Sequence, residues 1–297
     1  MKYFKVKKGQ EHDKYEVNWD NFVKHTKRKY PFEQLSNNKI GKSFYAFCPH
    51  CENTVQMVGV YENKPKKHAA HTGKAIKGFS DYDYFGYNHC IYASNKPAYN
   101  RDARKTDFDE NAKYYYNITK ENFDRVAYIL RNCLDVYLNN NILLKSLEIF
   151  HNSNGFLSPY ISKSNIPWII CELGLSGQNL FGQHIKKDSA MYKAIEKIPA
   201  ALFAESTIEG YSKLTSKPNH FLNLQFRFAD HTFEMDDDHQ LHEFFELCID
   251  DMVNEQKTIY KTKLKANQSF FPSLTRRDNT YRDTNLLEKA RDILNLI

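Results

Sequence analysis

The chain has 297 residues, a net charge of +6, and 41% hydrophobic residues that include 21 Phe and 20 Tyr. That length accommodates two domains, or one large domain with an appended module, and so much apolar material excludes a chain disordered throughout. Apolar runs such as residues 166–175 are too short to span a bilayer, and the basic residues 1–14 lack the apolar stretch and cleavage site of a signal peptide.

Charge is unevenly spread. Residues 1–77 hold 16 Lys/Arg against 7 Asp/Glu, a local +9 that leaves −3 for the remainder. A basic front of this kind points to a polyanionic partner; its plainer explanation is a lysine-rich solvated face. Residues 1–40 interleave basic clusters with Tyr3, Phe4, Trp19 and Phe22, and the run Lys24 to Tyr30 predicts a short basic helix over 21–29, stopped before Pro31. Such side chains can neutralise phosphates while stacking on bases, or they can anchor an extension onto the body.

Residues 43–47 read as a strand running into Cys48-Pro49-His50-Cys51, and 54–61 as its hairpin partner, followed by turn chemistry at 62–65. Six sulfur and imidazole donors fall between Cys48 and Cys90: Cys48, Cys51, His68, His71, His89 and Cys90. Thiolate and imidazole are the preferred ligands of tetrahedral Zn²⁺. CxxC lets two thiolates reach one ion, so Cys48 and Cys51 form the base of the site. His71 and Cys90 are preferred as the remaining ligands, with His68 in reserve; His50 and His89 are expected around the site or on the surface. Two histidines three apart share one face of a helical turn, or one ligates while the other packs. Four protein ligands leave no open position, which makes the expected Zn²⁺ structural. A thioredoxin-like pair would need the CxxC at a helix start in a βαβ unit, and none is legible here. Cys133, Cys171 and Cys248 stand singly in apolar contexts, the usage expected of a reducing cytosol.

Cys48-Pro49-His50-Cys51 with His68-Ala69-Ala70-His71 resembles the amino-terminal zinc module of the CoiA-type competence proteins, where a CPxC…HFAH arrangement precedes a nuclease-like domain. Ala69 stands where the family has an aromatic, and His89-Cys90 has no counterpart. The resemblance implies a bacterial or mobile-element protein acting on DNA or RNA, and it carries over no catalytic residue.

Residues 107–117, with Tyr114-Tyr115-Tyr116, close the module, giving a basic zinc-binding module over 1–110 and a mixed α/β body over 111–297. In the body, Thr119 is read as the N-cap of a helix with Phe123, Val126, Ala127, Leu130, Cys133, Leu134 and Tyr137 on its apolar face. A second helix is expected over 142–151, a loop over 155–159, a buried segment of either type over 166–175, and a helix over 188–198. Residues 221–228 alternate as a strand, with a turn at 229–231 and a return strand over 232–235. Asp236-Asp237-Asp238 then caps a helix over 239–256, whose apolar face is Leu241, Phe244, Phe245, Leu247, Cys248, Met252 and Val253. The aspartates with His231, His239 and His242 are a second place to look for a metal, although capping accounts for them. A basic strand over 257–265 and a helix over 283–297 end the chain.

A nuclease of the PD-(D/E)xK class needs carboxylates on adjacent strands and a lysine two residues after one of them. Glu172 and Glu205 are candidate carboxylates, and neither has a lysine there. His68, Asn88 and His89 fit an HNH site poorly, and there is no P-loop, GxGxxG or GxSxG. The expected fold is α+β: a small zinc-stabilised, β-rich amino-terminal module followed by a mixed, largely helical domain with a β-hairpin. The expected function is a zinc-containing, zinc finger-like, nucleic-acid-binding component of a bacterial phage-defence, competence or mobile-element system. It would be cytoplasmic, without membrane contact, with Lys27, Arg28, Lys29, Lys66, Lys67 and Lys74 on DNA or RNA and room for a protein partner on the carboxy-terminal domain. The alternatives are a Mg²⁺-dependent nuclease of the restriction-endonuclease-like class and a protein-interaction scaffold with structural zinc alone.

Overall fold

In the computed structural model of the chain, the described residues are 1–8, 14–36, 41–61, 66–93, 99–236, 241–253, 257–276 and 282–295. The turn expected at 62–65, and Asp237, Asp238 and His239, lie outside them. Helix and sheet are mixed along the chain, which is an α+β protein. It divides into two compact units, Met1–Asn111 with Phe233–His242, and Ala112–Thr232 with Glu243–Ile297.

In the first unit, β1 (Tyr3–Phe4) pairs with β2 (Tyr15–Glu16), and α1 (Trp19–Thr26) follows. Asn18 caps that helix, its side chain accepting the Asn21 amide at 2.8 Å. It ends at Lys27 in the left-handed region, short of the expected boundary. Four antiparallel strands then run in sequence order: β3 (Glu33–Leu35), β4 (Lys42–Phe47), β5 (Thr54–Val58) and β6 (His68–His71). Burial follows the two-residue period, with Val55 and Met57 of β5 and Ala69 of β6 inward. These pack with Phe4, Phe22, Phe44 and Ala46 into a core that includes the Cys48 and Cys90 side chains. A short helix, α2 (Tyr84–Asn88), leads into Cys90.

The second unit opens with α3 (Glu110–Cys133), which is kinked at Asn122. The Tyr114-Tyr115-Tyr116 run lies inside this helix. Thr119 is therefore an interior residue and not the N-cap: its hydroxyl donates back to the Tyr115 carbonyl at 2.7 Å. After β7 (Val136–Tyr137) comes α4 (Asn140–Asn152), capped by the Asn139 side chain. The buried segment is helical: α5 (Ile166–Ile170) continues into a π-helical turn, Cys171–Leu175. Gly174 lets that turn press on α4, since a Cβ there would lie 2.0 Å from the Ser146 carbonyl oxygen. The sheet β7-β8-β10-β9 is made with β8 (His184–Lys186), β9 (Ala201–Ala204) and β10 (Tyr211–Ser216), and α6 (Ala190–Glu196) lies between β8 and β9 in sequence.

Two expectations fail in the next stretch. The strand expected to turn at 229–231 continues: β11 is Leu224–Met235. Its inward residues are Phe226 and Phe228 before the step and His231 after it, so the two exposed residues between, Ala229 and Asp230, shift the phase of one strand instead of turning it. The expected helix over 239–256 is strand β12 (Leu241–Asp251), paired antiparallel with β13 (Lys257–Lys265). Glu243, Phe245 and Leu247 are buried between half-buried His242, Phe244 and Glu246, the two-residue period of a strand. Helices α7 (Phe270–Leu274) and α8 (Thr284–Leu294) end the described chain, the latter capped by Asp283. No helix among the described residues is long and apolar enough to cross a membrane.

Candidate metal centre and basic surface

Strand β4 delivers Cys48 into the core, and the chain turns at once: the Cys48 amide donates to the Asn53 carbonyl at 2.8 Å and the Glu52 amide to the Cys48 carbonyl at 3.2 Å. Lys5 braces this turn. Its backbone exchanges two 2.9 Å hydrogen bonds with Phe47, while its ammonium, 1% exposed, pairs with Glu52 Oε1 at 2.5 Å. Strand β6 supplies His71 and the turn after α2 supplies Cys90, whose amide donates to the Tyr87 carbonyl at 3.0 Å.

These segments bring together Cys48, Cys51, His71 and Cys90, with all four ligand atoms within 4.8 Å of one another. Cys48 Sγ lies 3.7 Å from Cys90 Sγ, and His71 Nε2 lies 3.3 Å from Cys51 Sγ and 3.7 Å from Cys90 Sγ. Each sulfur also has an N–H aimed at it. The His50 amide reaches Cys48 Sγ at 3.4 Å, the Tyr92 amide reaches Cys90 Sγ at 3.4 Å, and Asn53 Nδ2 reaches Cys51 Sγ at 3.5 Å. Such donors favour the thiolate form. Burial, and after it the neighbouring Cys48 and Cys51 sulfurs, push the Cys90 thiol well above its ordinary range. A metal held here would bind deprotonated sulfurs. The four residues form a possible metal-binding site.

His68 does not join them. The expectation that His68 and His71 share a helical face gives way to a strand, on which residues three apart point to opposite faces. His71 is opposite buried Val55, and His68 is opposite exposed Val58. His50 contributes its backbone amide to the site, and the His89 ring contacts the Phe85 carbonyl at 2.9 Å, closing α2. Asn53 was not legible as part of the site. It is 3% exposed and exchanges two 2.8 Å hydrogen bonds with the Asp83 backbone, besides donating to Cys51. Its one signal in the sequence was an amide side chain two residues after the CxxC.

Of the basic residues singled out from the sequence, Lys27, Arg28 and Lys29 lie just beyond α1, and the loop that carries Lys74 is tied to the same turn. Gln34 Nε2 donates to both the Pro31 and the Lys77 carbonyls at 2.8 Å, tying in the loop that carries Lys74. A Cβ on Gly78 (φ +85°) would sit 2.5 Å from the Tyr30 hydroxyl, so the same loop is seated against Tyr30. Trp19, the first residue of α1, packs edge-on to Tyr61 at 5.1 Å, and Lys66 and Lys67 directly precede β6. Arg28 is engaged within the fold: it chelates Glu33 at 2.6 and 3.2 Å and lies 5.4 Å over the Trp19 ring. Lys27, Lys29, Lys66 and Lys74 are exposed and Lys67 half-buried, and none of the five forms an ion pair with a described residue.

In the second unit, Glu172 is buried in the π-helical turn and exposed Glu205 follows β9, so those candidate carboxylates belong to different surroundings. Glu172 Oε2 faces His231 Nδ1 at 3.4 Å, and His231 Nε2 lies 2.7 Å from Glu243 Oε1, which also accepts from Asn165 at 2.7 Å. Among the described residues, this trio is not grouped around one point as the cysteines are. In the first unit, His242 pairs with Asp236 at 2.9 Å. Comparison with known proteins finds no matching family model, no matching curated protein and no matching solved structure.

Proposed function

We propose that the first unit is a zinc-stapled module that grips the phosphate backbone of nucleic acid. Three sulfurs and one imidazole are the donor set zinc takes in closed structural sites. Bond lengths of about 2.3 Å to sulfur and about 2.0–2.1 Å to nitrogen place the corners of a tetrahedron about 3.6–3.8 Å apart. The separations of 3.7, 3.3 and 3.7 Å between the donor atoms agree with that to a few tenths of an ångström. The CPHC and HAAH stretches that resemble the CoiA-type module supply three of the four donors.

The observation that carries the nucleic-acid reading is the meeting of two basic segments remote in sequence, the turn after α1 and the loop that carries Lys74. They are held together by Gln34 and by the seat of Tyr30 on Gly78. Lysines gathered on one surface neutralise phosphates and release counterions, so binding should weaken steeply with salt. Arg28, already bound to Glu33, contributes by holding the turn. The test is fluorescence anisotropy of the zinc-loaded chain with labelled DNA and RNA across a salt series. Binding whose logarithm falls linearly with log salt is expected, and replacing Lys27, Lys29 and Lys74 by Gln should lower that slope by about 0.7–0.9 for each phosphate that is no longer neutralised. A folded, zinc-loaded chain that binds none of the probes would overturn the reading in favour of a protein-interaction scaffold.

A further inference from the structure

We infer that the ligand of this basic surface is a single strand, with unpaired bases stacked on Tyr30 and Tyr61; this rests on the polyanion-binding reading above. The first unit's core holds Phe4 and Phe22 fully buried and Phe44 nearly so. Tyr30 and Tyr61 instead remain 61% and 63% exposed. They are not scattered singly. Tyr30 directly follows Lys27, Arg28 and Lys29, while Tyr61 packs edge-on to Trp19, the ring over which Arg28 lies. Tyr30 thus adjoins the basic turn in sequence, and Tyr61 is linked to it through Trp19 and Arg28.

Both rings are supported from behind. Gly78 has no side chain, and its left-handed backbone is seated against the Tyr30 hydroxyl and Pro31. Tyr61 rests on Phe44, with ring centroids 5.7 Å apart and planes 28° apart. A supported ring with an open face can receive a base at little entropic cost, because its rotamer is already fixed. Base faces are covered in a duplex and accessible in a single strand, where base–aromatic stacking is tolerant of sequence. Lys27 and Lys29, exposed and directly before Tyr30 in sequence, would neutralise phosphates of such a strand.

Anisotropy titrations of the whole, zinc-loaded chain with labelled oligo-dT, oligo-rU and a duplex of equal length distinguish the claims. The expected result is tighter binding of the single strands. Tyr30→Ala and Tyr61→Ala should each weaken single-strand binding by roughly five- to hundredfold and leave duplex binding nearly unchanged. Tyr30→Phe and Tyr61→Phe, which keep the ring, should bind as the parent does. Alanine variants that are folded and bind as the parent does, or a parent that prefers duplex, would overturn the single-strand inference and leave the backbone-binding reading standing. Absence of binding to all three probes would overturn both.

Discussion

Asn53 pairs both edges of its side-chain amide with the backbone of Asp83: the Asp83 amide donates to Oδ1 and Nδ2 donates to the Asp83 carbonyl, each at 2.8 Å. A side chain thus takes the place of a neighbouring strand and fastens the CxxC turn to the segment opening α2. The same Nδ2 points to Cys51 Sγ. Asp83 in turn caps α2, accepting the Gly86 amide at 2.9 Å, so one buried amide aligns two of the three segments that carry the donors.

Replacing Asn53 with Ala would remove two part-buried hydrogen bonds to the Asp83 backbone, at a cost of about 0.5–1.5 kcal/mol each. The expected outcome is a lower melting temperature for the first unit and faster zinc release to a competing chelator, with the unfolding of the second unit unchanged. Calorimetry together with a colorimetric zinc-release assay measures both. Unchanged release rates would mean that the clasp does not align the donors.

Much of this site was legible because thiol and imidazole spacing is carried by the chain itself. Cys48, Cys51, His71 and Cys90 could be read as donors without knowing that β6 is a strand. The choice between His68 and His71 needed the strand, because three-residue spacing means one face on a helix and opposite faces on a sheet. The body was harder for a related reason. Phe244, Phe245, Leu247 and Cys248 fit a helical stripe as well as a strand, and β12 is decided by pairing with β13, a tertiary fact. Thr119 looked like an N-cap because a threonine serves equally well inside a helix when its hydroxyl finds the carbonyl four residues back. Asn53 offered only its amide two residues after the CxxC, since its partner lies thirty positions away.

Zinc content separates the two histidines. The parent is expected to hold one zinc per chain; His71→Ala should lose it or release it far more readily, and His68→Ala should retain it, since His68 lies outside the four-donor group. Elemental analysis after dialysis against a weak chelator measures this. Cobalt substitution would add the absorption bands of a tetrahedral sulfur-rich site in the parent and in His68→Ala. Equal loss in the two variants would remove the distinction drawn from β6.

Gly174→Ala tests the packing of α4 on the π-helical turn. The added methyl would meet the Ser146 carbonyl oxygen, a backbone atom in mid-helix that cannot move aside alone. Overpacking of this kind costs about 1–3 kcal/mol. A lower urea midpoint for the second unit, with zinc content unchanged, is the expected result. A midpoint equal to the parent's would show that the helices separate freely.

His231 makes the second unit's stability depend on pH in a stated direction. Burial lowers its tendency to hold a proton, but Glu172 and Glu243 on either side outweigh burial and raise its pKa above the ordinary value near 6.5. The other groups around it, Asn165 on Glu243 and the rings of Phe245 and Tyr160, carry no charge of their own at neutral pH. A folded pKa above the unfolded one means that the protonated form is favoured by folding. The contribution is therefore complete below about pH 6.5 and disappears as pH rises through the folded value. Urea midpoints of the second unit should fall from mildly acidic to mildly alkaline pH in the parent. His231→Gln should abolish that slope and, by breaking a buried pair, lower stability by about 3–5 kcal/mol on the acidic side. A parent whose midpoint rises across the same interval would show that the unfolded chain binds more protons than the folded one, with the imidazole between the two glutamates neutral, and would overturn the prediction.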